Sequence, residues 1–145
     1  MATFVKVNDF VENVAHGVFD LGMNQLAVAL SNTAPGSESS PPTASGNGVL
    51  ANVTQVSYTN LSSRNITTSA SAETGGTYKL TLTDLVLTAS GSVGPFRYVY
   101  IYSDTPTSPA DPIIGYYDYG SSVTLANGET FTVDFDGSNG LLTIA

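Results

Sequence analysis

Few side chains in this chain are of a type that does covalent or acid–base chemistry. His16 is the single histidine and there is no cysteine. A histidine base needs a nucleophile and an orienting acid beside it, and no Gly-x-Ser-x-Gly elbow accompanies His16. With one histidine and no thiolate, a transition-metal site lacks ligands. Carboxylates remain. Asp134 and Asp136 lie two apart on one strand face, and Asp104, Asp111 and Asp118 fall near loops. Paired carboxylates cleave glycosides when held at a suitable separation, and they also bind calcium. The run Asp134-Phe-Asp-Gly-Ser-Asn-Gly departs from the calcium-hand pattern, with its glycine misplaced and no late glutamate. Its composition is that of a turn, so these acids are expected to shape a hairpin. The glycines form neither a phosphate loop nor a dinucleotide fingerprint.

Tyrosine is the other notable residue type. Tyr98, Tyr100 and Tyr102, then Tyr116, Tyr117 and Tyr119, crowd two short stretches. Such ladders stack on sugars or sit at protein interfaces. They also pair across strands and stabilise sheets directly. The tripeptides beginning at Asn52, Asn60 and Asn65 match the glycosylation acceptor pattern. Without a secretion signal they read as chance matches.

The composition limits the partners. Charged residues make up 11% of the chain, against about 25% in ordinary domains, and Ser and Thr far outnumber them. Lys6, Arg64, Lys79 and Arg97 are the only cations against 12 acids, a net charge of −8. That balance opposes phosphate-backbone binding, and nucleic acid is not expected. No run approaches the ~20 apolar residues of a membrane-spanning helix, and the start is not a Sec-type signal. A soluble protein is expected. At 145 residues the chain has the size of one domain with its own core.

The elements that must position these side chains follow from periodicity. Residues 9–21 carry the one helix signal. Asp9 and Glu12 are spaced as a capping box, Phe10, Val14, Val18 and Leu21 form a stripe, and Gly22 fits the stop. Leu26, Val28 and Leu30 then alternate with polar or small residues as a strand. Residues 32–48, rich in Ser and Gly and carrying Pro35, Pro41 and Pro42, read as an extended arm. From 49 onward the chain is a succession of strands. Val49, Ala51 and Val53 alternate, Gly75-Gly76 is a turn, and a phase change at Asp84 suggests a bulge or bend. The run from Phe96 to Tyr102 is apolar enough to be covered on both sides. Asn127-Gly128 is a tight-hairpin signal. The expected fold is all-β: one domain over 1–145, a β-sandwich or jelly roll with a short N-terminal helix, long loop arms and a main β region over 49–145.

Several stretches resemble small β-rich virion proteins of tailed bacteriophages. They are Thr59-Asn-Leu-Ser-Ser-Arg64, Gly76-Thr-Tyr-Lys-Leu-Thr-Leu-Thr-Asp-Leu, Gly94-Pro-Phe-Arg-Tyr, Asp104-Thr-Pro-Thr and Ser122-Val-Thr-Leu-Ala-Asn-Gly-Glu-Thr-Phe-Thr-Val-Asp-Phe. Phe10-Val-Glu and Leu26-Ala-Val-Ala-Leu-Ser-Asn-Thr-Ala-Pro also look similar. The resemblance implies a phage particle protein. Similar small β-rich proteins bind the outside of icosahedral heads, so the expectation is a capsid decoration (cement) protein on the head surface. The residues themselves lead us to expect no enzymatic activity, cofactor, metal or small-molecule substrate. Its partners would be the major capsid protein and copies of itself, with no nucleic acid and no membrane. The helix and the arm are the expected clamps. Phe10, Val14, Pro35, Pro41, Pro42, Tyr116, Tyr117 and Tyr119 are the candidate contacts. The alternative is a tail, neck or fibre component with a carbohydrate-binding face.

Overall fold

The computed structural model describes residues 2–145. Strands hold 45% of the chain and helix 7%, all sheets are antiparallel, and they do not close into a barrel. Cohesion therefore rests on ladders and on side chains packed between and over the sheets.

The first strand, β1 (Phe4–Lys6), leads into a short helix, α1 (Asp9–Ala15). The helix is half as long as the stripe over 9–21 predicts. Gly17, at φ 72°, takes the left-handed C′ position, donating to Val14 O (3.1 Å) while Val18 N donates to Asn13 O (2.9 Å). Those two bonds make a Schellman stop, and the first glycine in the stripe ends the helix before Gly22 can. The capping box does not form either. Asn8 is the cap residue, with no side-chain cap bond, and Asp9 points elsewhere.

Next come β2 (Leu26–Ser31), β3 (Asn65–Ile66), β4 (Thr68–Thr74), β5 (Thr77–Leu82), β6 (Leu85–Thr88), β7 (Val93–Ser103), β8 (Ile113–Leu125), β9 (Thr130–Val133) and β10 (Leu142–Ile144). They form a five-stranded sheet in the order β1-β8-β7-β2-β3, a three-stranded sheet β10-β5-β4 and a pair β6-β9. The long β7–β8 hairpin is the spine. As its composition predicts, β7 is buried at nearly every position from Phe96 to Tyr102.

The strand β2 corrects the alternation reading, because all six of its residues are buried. Leu26, Val28 and Leu30 occupy one face. Ala27, Ala29 and Ser31 occupy the other, opposite Tyr102, Tyr100 and Tyr98 of β7. Small side chains beside large rings let both faces be covered. Each fully buried Leu or Val here contributes about 1.5–3 kcal/mol relative to exposure.

Three further expectations change. Residues 50–52 form a 3-10 turn rather than a strand, with Val49 bridged to Pro112. At Asp84 the chain does not bulge but switches sheets, since β5 pairs with β4 and β10 whereas β6 pairs with β9. Asn127-Gly128 does turn the chain, with Glu129 N donating to Ala126 O. The strands on either side do not pair with each other: β8 stays with β7, while β9 crosses to β6.

Buried apolar side chains from every sheet belong to one cluster that includes Phe10, Val28, Leu80, Leu87, Phe96, Ile101, Leu125 and Phe135.

Candidate functional site

The tyrosines divide according to the face of β7 and β8 they occupy. Tyr100 stands opposite Tyr116 in register and Val99 opposite Tyr117. Tyr98, Tyr100 and Tyr102 with Tyr116 therefore share one face, and Tyr117 and Tyr119 share the other. Tyr98, Tyr100 and Tyr102 are all buried. The Tyr100 and Tyr116 rings lie 5.5 Å apart, tilted by 40°, the cross-strand pair that stabilises a sheet.

Chain without regular structure covers this face. The Glu38 carboxylate lies near Tyr100, and the Tyr100 hydroxyl and one Glu38 oxygen are buried without hydrogen-bond partners. Burial first, and then the Glu38 charge, push the Tyr100 phenol far above its ordinary range. Pro42 is buried, and Pro35 and Pro41 are half-buried. The arm is therefore seated on its own sheet. Its far end is pinned by Asp9, whose Oδ1 and Oδ2 accept from the amides of Gly46 and Gly48, each at 2.8 Å. Ile113 N donates to Gly48 O at 2.9 Å and Leu50 N to Asp111 O at 2.9 Å.

The outer edge of β2 beyond β3 is closed by coil, Val28 N donating to Arg64 O and Val56 N to Leu30 O, each at 3.0 Å, and by two side chains. Tyr58 Oη accepts from Leu30 N at 2.9 Å, and Arg64 Nη1 donates to Val28 O at 2.6 Å. The Arg64 guanidinium lies 3.8 Å above the Tyr58 ring. An open edge would invite foreign strands, and Val56, Tyr58 and Arg64 occupy it.

The carboxylates are mostly committed to local structure. Asp136 Oδ1 accepts from Ser138 N and Asn139 N, and its Oδ2 from Asn139 Nδ2. The Asn139 and Ser138 bonds hold its pKa below the ordinary value. Asp118 takes a bidentate pair from Arg97, at 2.8 and 3.0 Å. Burial raises the Asp111 pKa, reinforced by the neighbouring Asp104 carboxylate. Among the described residues no three of His, Cys, Asp and Glu converge to hold a metal. Among the described residues no helix is long and apolar enough to cross a membrane.

The sequence candidates thus fall in different places. Phe10 is inside, tilted against Phe19 at 5.4 Å. Tyr117 is buried against Phe4 and Phe135. Val14 and Tyr116 are half-buried, and Tyr119 is exposed (55%). Beside the singly exposed Val5, Val86 and Met23, two open regions hold accessible apolar side chains. One spans α1 and the last strand: Val11 (56% exposed) and Ile144 (37%), with Val14 and Ile144 lining two adjoining grooves. The other is a cleft of about 170 Å³ between β7, β8 and β9, lined by Val99, Tyr117, Tyr119, Phe131, Val133 and Asp134 among others. Sequence reading passed over Val11 and Ile144. The available signal was Val11, an apolar residue off the buried stripe of its helix.

No family model, curated protein or solved structure matches this chain.

Proposed function

We propose that the chain is a structural virion protein, a decoration or cement subunit that binds the outer lattice of a phage head, and that its sheets form a β-sandwich of the jelly-roll kind. The shared core between the five-stranded sheet and the smaller sheets supports the sandwich. The observation that carries the function is the apolar surface around Val11, Val14 and Ile144. Contiguous exposed apolar surface marks interaction sites, and here it lies on a chain with few ions and much hydroxyl.

We place the proposed contact at this surface rather than at the arm. Residues 32–48 are held by Asp9 and the tyrosine face, so freeing them for a partner would forfeit contacts they already make. The tail, neck or fibre alternative has less support. Its sugar platform requires Tyr116 and Tyr117, and Tyr117 is buried while Tyr116 leans on Tyr100.

The test is binding to purified expanded heads by co-sedimentation. Val11→Asp with Ile144→Asp should abolish binding while leaving the circular dichroism spectrum unchanged. Wild-type protein that stays in the supernatant, or a double variant that binds normally, rejects this surface as a capsid contact.

A further inference from the structure

The cleft between β8 and β9 has the makings of a receptor for one side chain. Its walls are aromatic and aliphatic: Tyr117 and Tyr119 from β8, Val99 from β7, Phe131 and Val133 from β9. Tyr119 and Phe131 meet edge to face with centroids 5.1 Å apart, which fixes both rings. At about 170 Å³ the space is well below the roughly 300–1,000 Å³ of pockets that hold drug-sized ligands. It suits a single extended chain.

Among the described residues Asp134 is the only charged side chain lining this cleft, which Ala2 borders as well. Unlike Asp118 and Asp136, it has no hydrogen-bond or ion partner among the described residues. Three of the four Lys and Arg side chains are engaged elsewhere: Arg97 on Asp118, Arg64 on Val28 O and Tyr58, Lys79 on Ser138 O. Lys6 lines the groove beside α1 instead. The inner wall also feels negative charge. Burial, and then the Asp134 and Asp136 carboxylates, push the Tyr117 phenol up to about 12. Aromatic faces attract cations, most strongly where water is excluded, and the carboxylate adds a direct partner for one.

We propose that this cleft binds an alkylammonium group, in the form of a lysine side chain presented by a basic partner, with its methylenes between Tyr119, Phe131 and Val99 and its ammonium at Asp134. The surplus of acids, 12 against 4 cations, draws such a partner to the surface. This assignment does not depend on the virion reading, since it concerns the chemistry of the cleft alone.

The test is a ¹⁵N–¹H NMR titration with Nα-acetyl-lysine methylamide, with Nα-acetyl-norleucine methylamide as the neutral control. The lysine compound should produce saturable shifts confined to amides of Val99, Tyr119, Phe131 and Val133. Asp134→Asn, an exposed change outside the core, should weaken it about tenfold, and so should the neutral control. Tyr119→Ala should weaken both compounds. Absence of saturable shifts, equal binding of the two compounds, or an Asp134→Asn variant that binds like wild type would each overturn the assignment.

Discussion

Gly48 holds its backbone amide 2.8 Å from Oδ2 of Asp9, a residue 39 positions earlier. A Cβ on Gly48 would lie 3.0 Å from the Asp9 side chain. The two residues join the start of the helix to the end of the arm, and a side chain at 48 would have to push the Asp9 carboxylate aside. The arm's order therefore has an internal cause.

Asp9→Ala should release that end of the arm. Two hydrogen bonds to a charged acceptor disappear, one of them exposed, so the expected loss is about 1–3 kcal/mol. Urea denaturation measures it, and hydrogen exchange should show Gly46 and Gly48 losing protection while β7 keeps its own. Unchanged exchange at both glycines would mean that the arm's end is held without Asp9, by the Ile113–Gly48 backbone bond and the burial of Pro42.

Arg64→Ala should cost about 2–3 kcal/mol, since it removes both a charged hydrogen bond to the β2 backbone and a stack on Tyr58. Arg64→Lys should recover less than half, because an ammonium cannot lie flat on the ring and reach Val28 O together. Full rescue by lysine would reduce the residue's role to charge.

Tyr100→Phe removes a buried hydroxyl that has no partner. Unpaired burial costs about 1–3 kcal/mol, so the variant should be as stable as wild type or more so by thermal denaturation. A loss above about 1 kcal/mol would show that the hydroxyl is satisfied, for instance by a bound water.

Acid should weaken the fold through Asp118 and Asp136. The Arg97 hydrogen bonds depress the Asp118 pKa, and the Asn139 and Ser138 bonds depress that of Asp136. A depressed carboxylate adds stability above its unfolded pKa of about 3.9 and loses it as pH falls through the lower folded value. Denaturation curves taken from neutral pH to about pH 2 should steepen below about pH 4. Asp118→Asn should flatten part of that slope. An unaltered slope would assign the acid limb to other groups.

Alkali should act with the opposite sign through Tyr117. Its folded pKa of about 12 exceeds the ordinary value of about 10. Its contribution is complete below about pH 10 and is lost as pH rises toward the folded value. Tyr117→Phe should remove that share of the alkaline slope, as read by denaturation at rising pH. A slope identical to wild type would exclude Tyr117 as a source.

What the sequence settled by itself was local. The type and approximate position of most strands, the turns at Gly75-Gly76 and Asp136 to Gly140, and the double coverage of β7 were legible, because period and turn chemistry depend on neighbouring residues. The tertiary structure decided whatever depended on distant partners. Two glycines could end the helix, and Gly17 ended it by closing the Schellman bonds before Gly22 was reached. Asn127-Gly128 signals a reversal, but the destination of β9 was chosen by Leu85 to Thr88, strand residues more than 40 positions away in the pairing. The composition of 32–48 excluded a core strand but did not show that Asp9, 39 residues earlier, would hold its end. The same distinction governs the candidate sites. Tyrosine content was visible from the start. Which tyrosines would line a surface was not, because burial is set by what packs across from a residue, and for Tyr100 and Tyr102 that neighbour is coil, at Glu38 and Arg64, with no periodic signature.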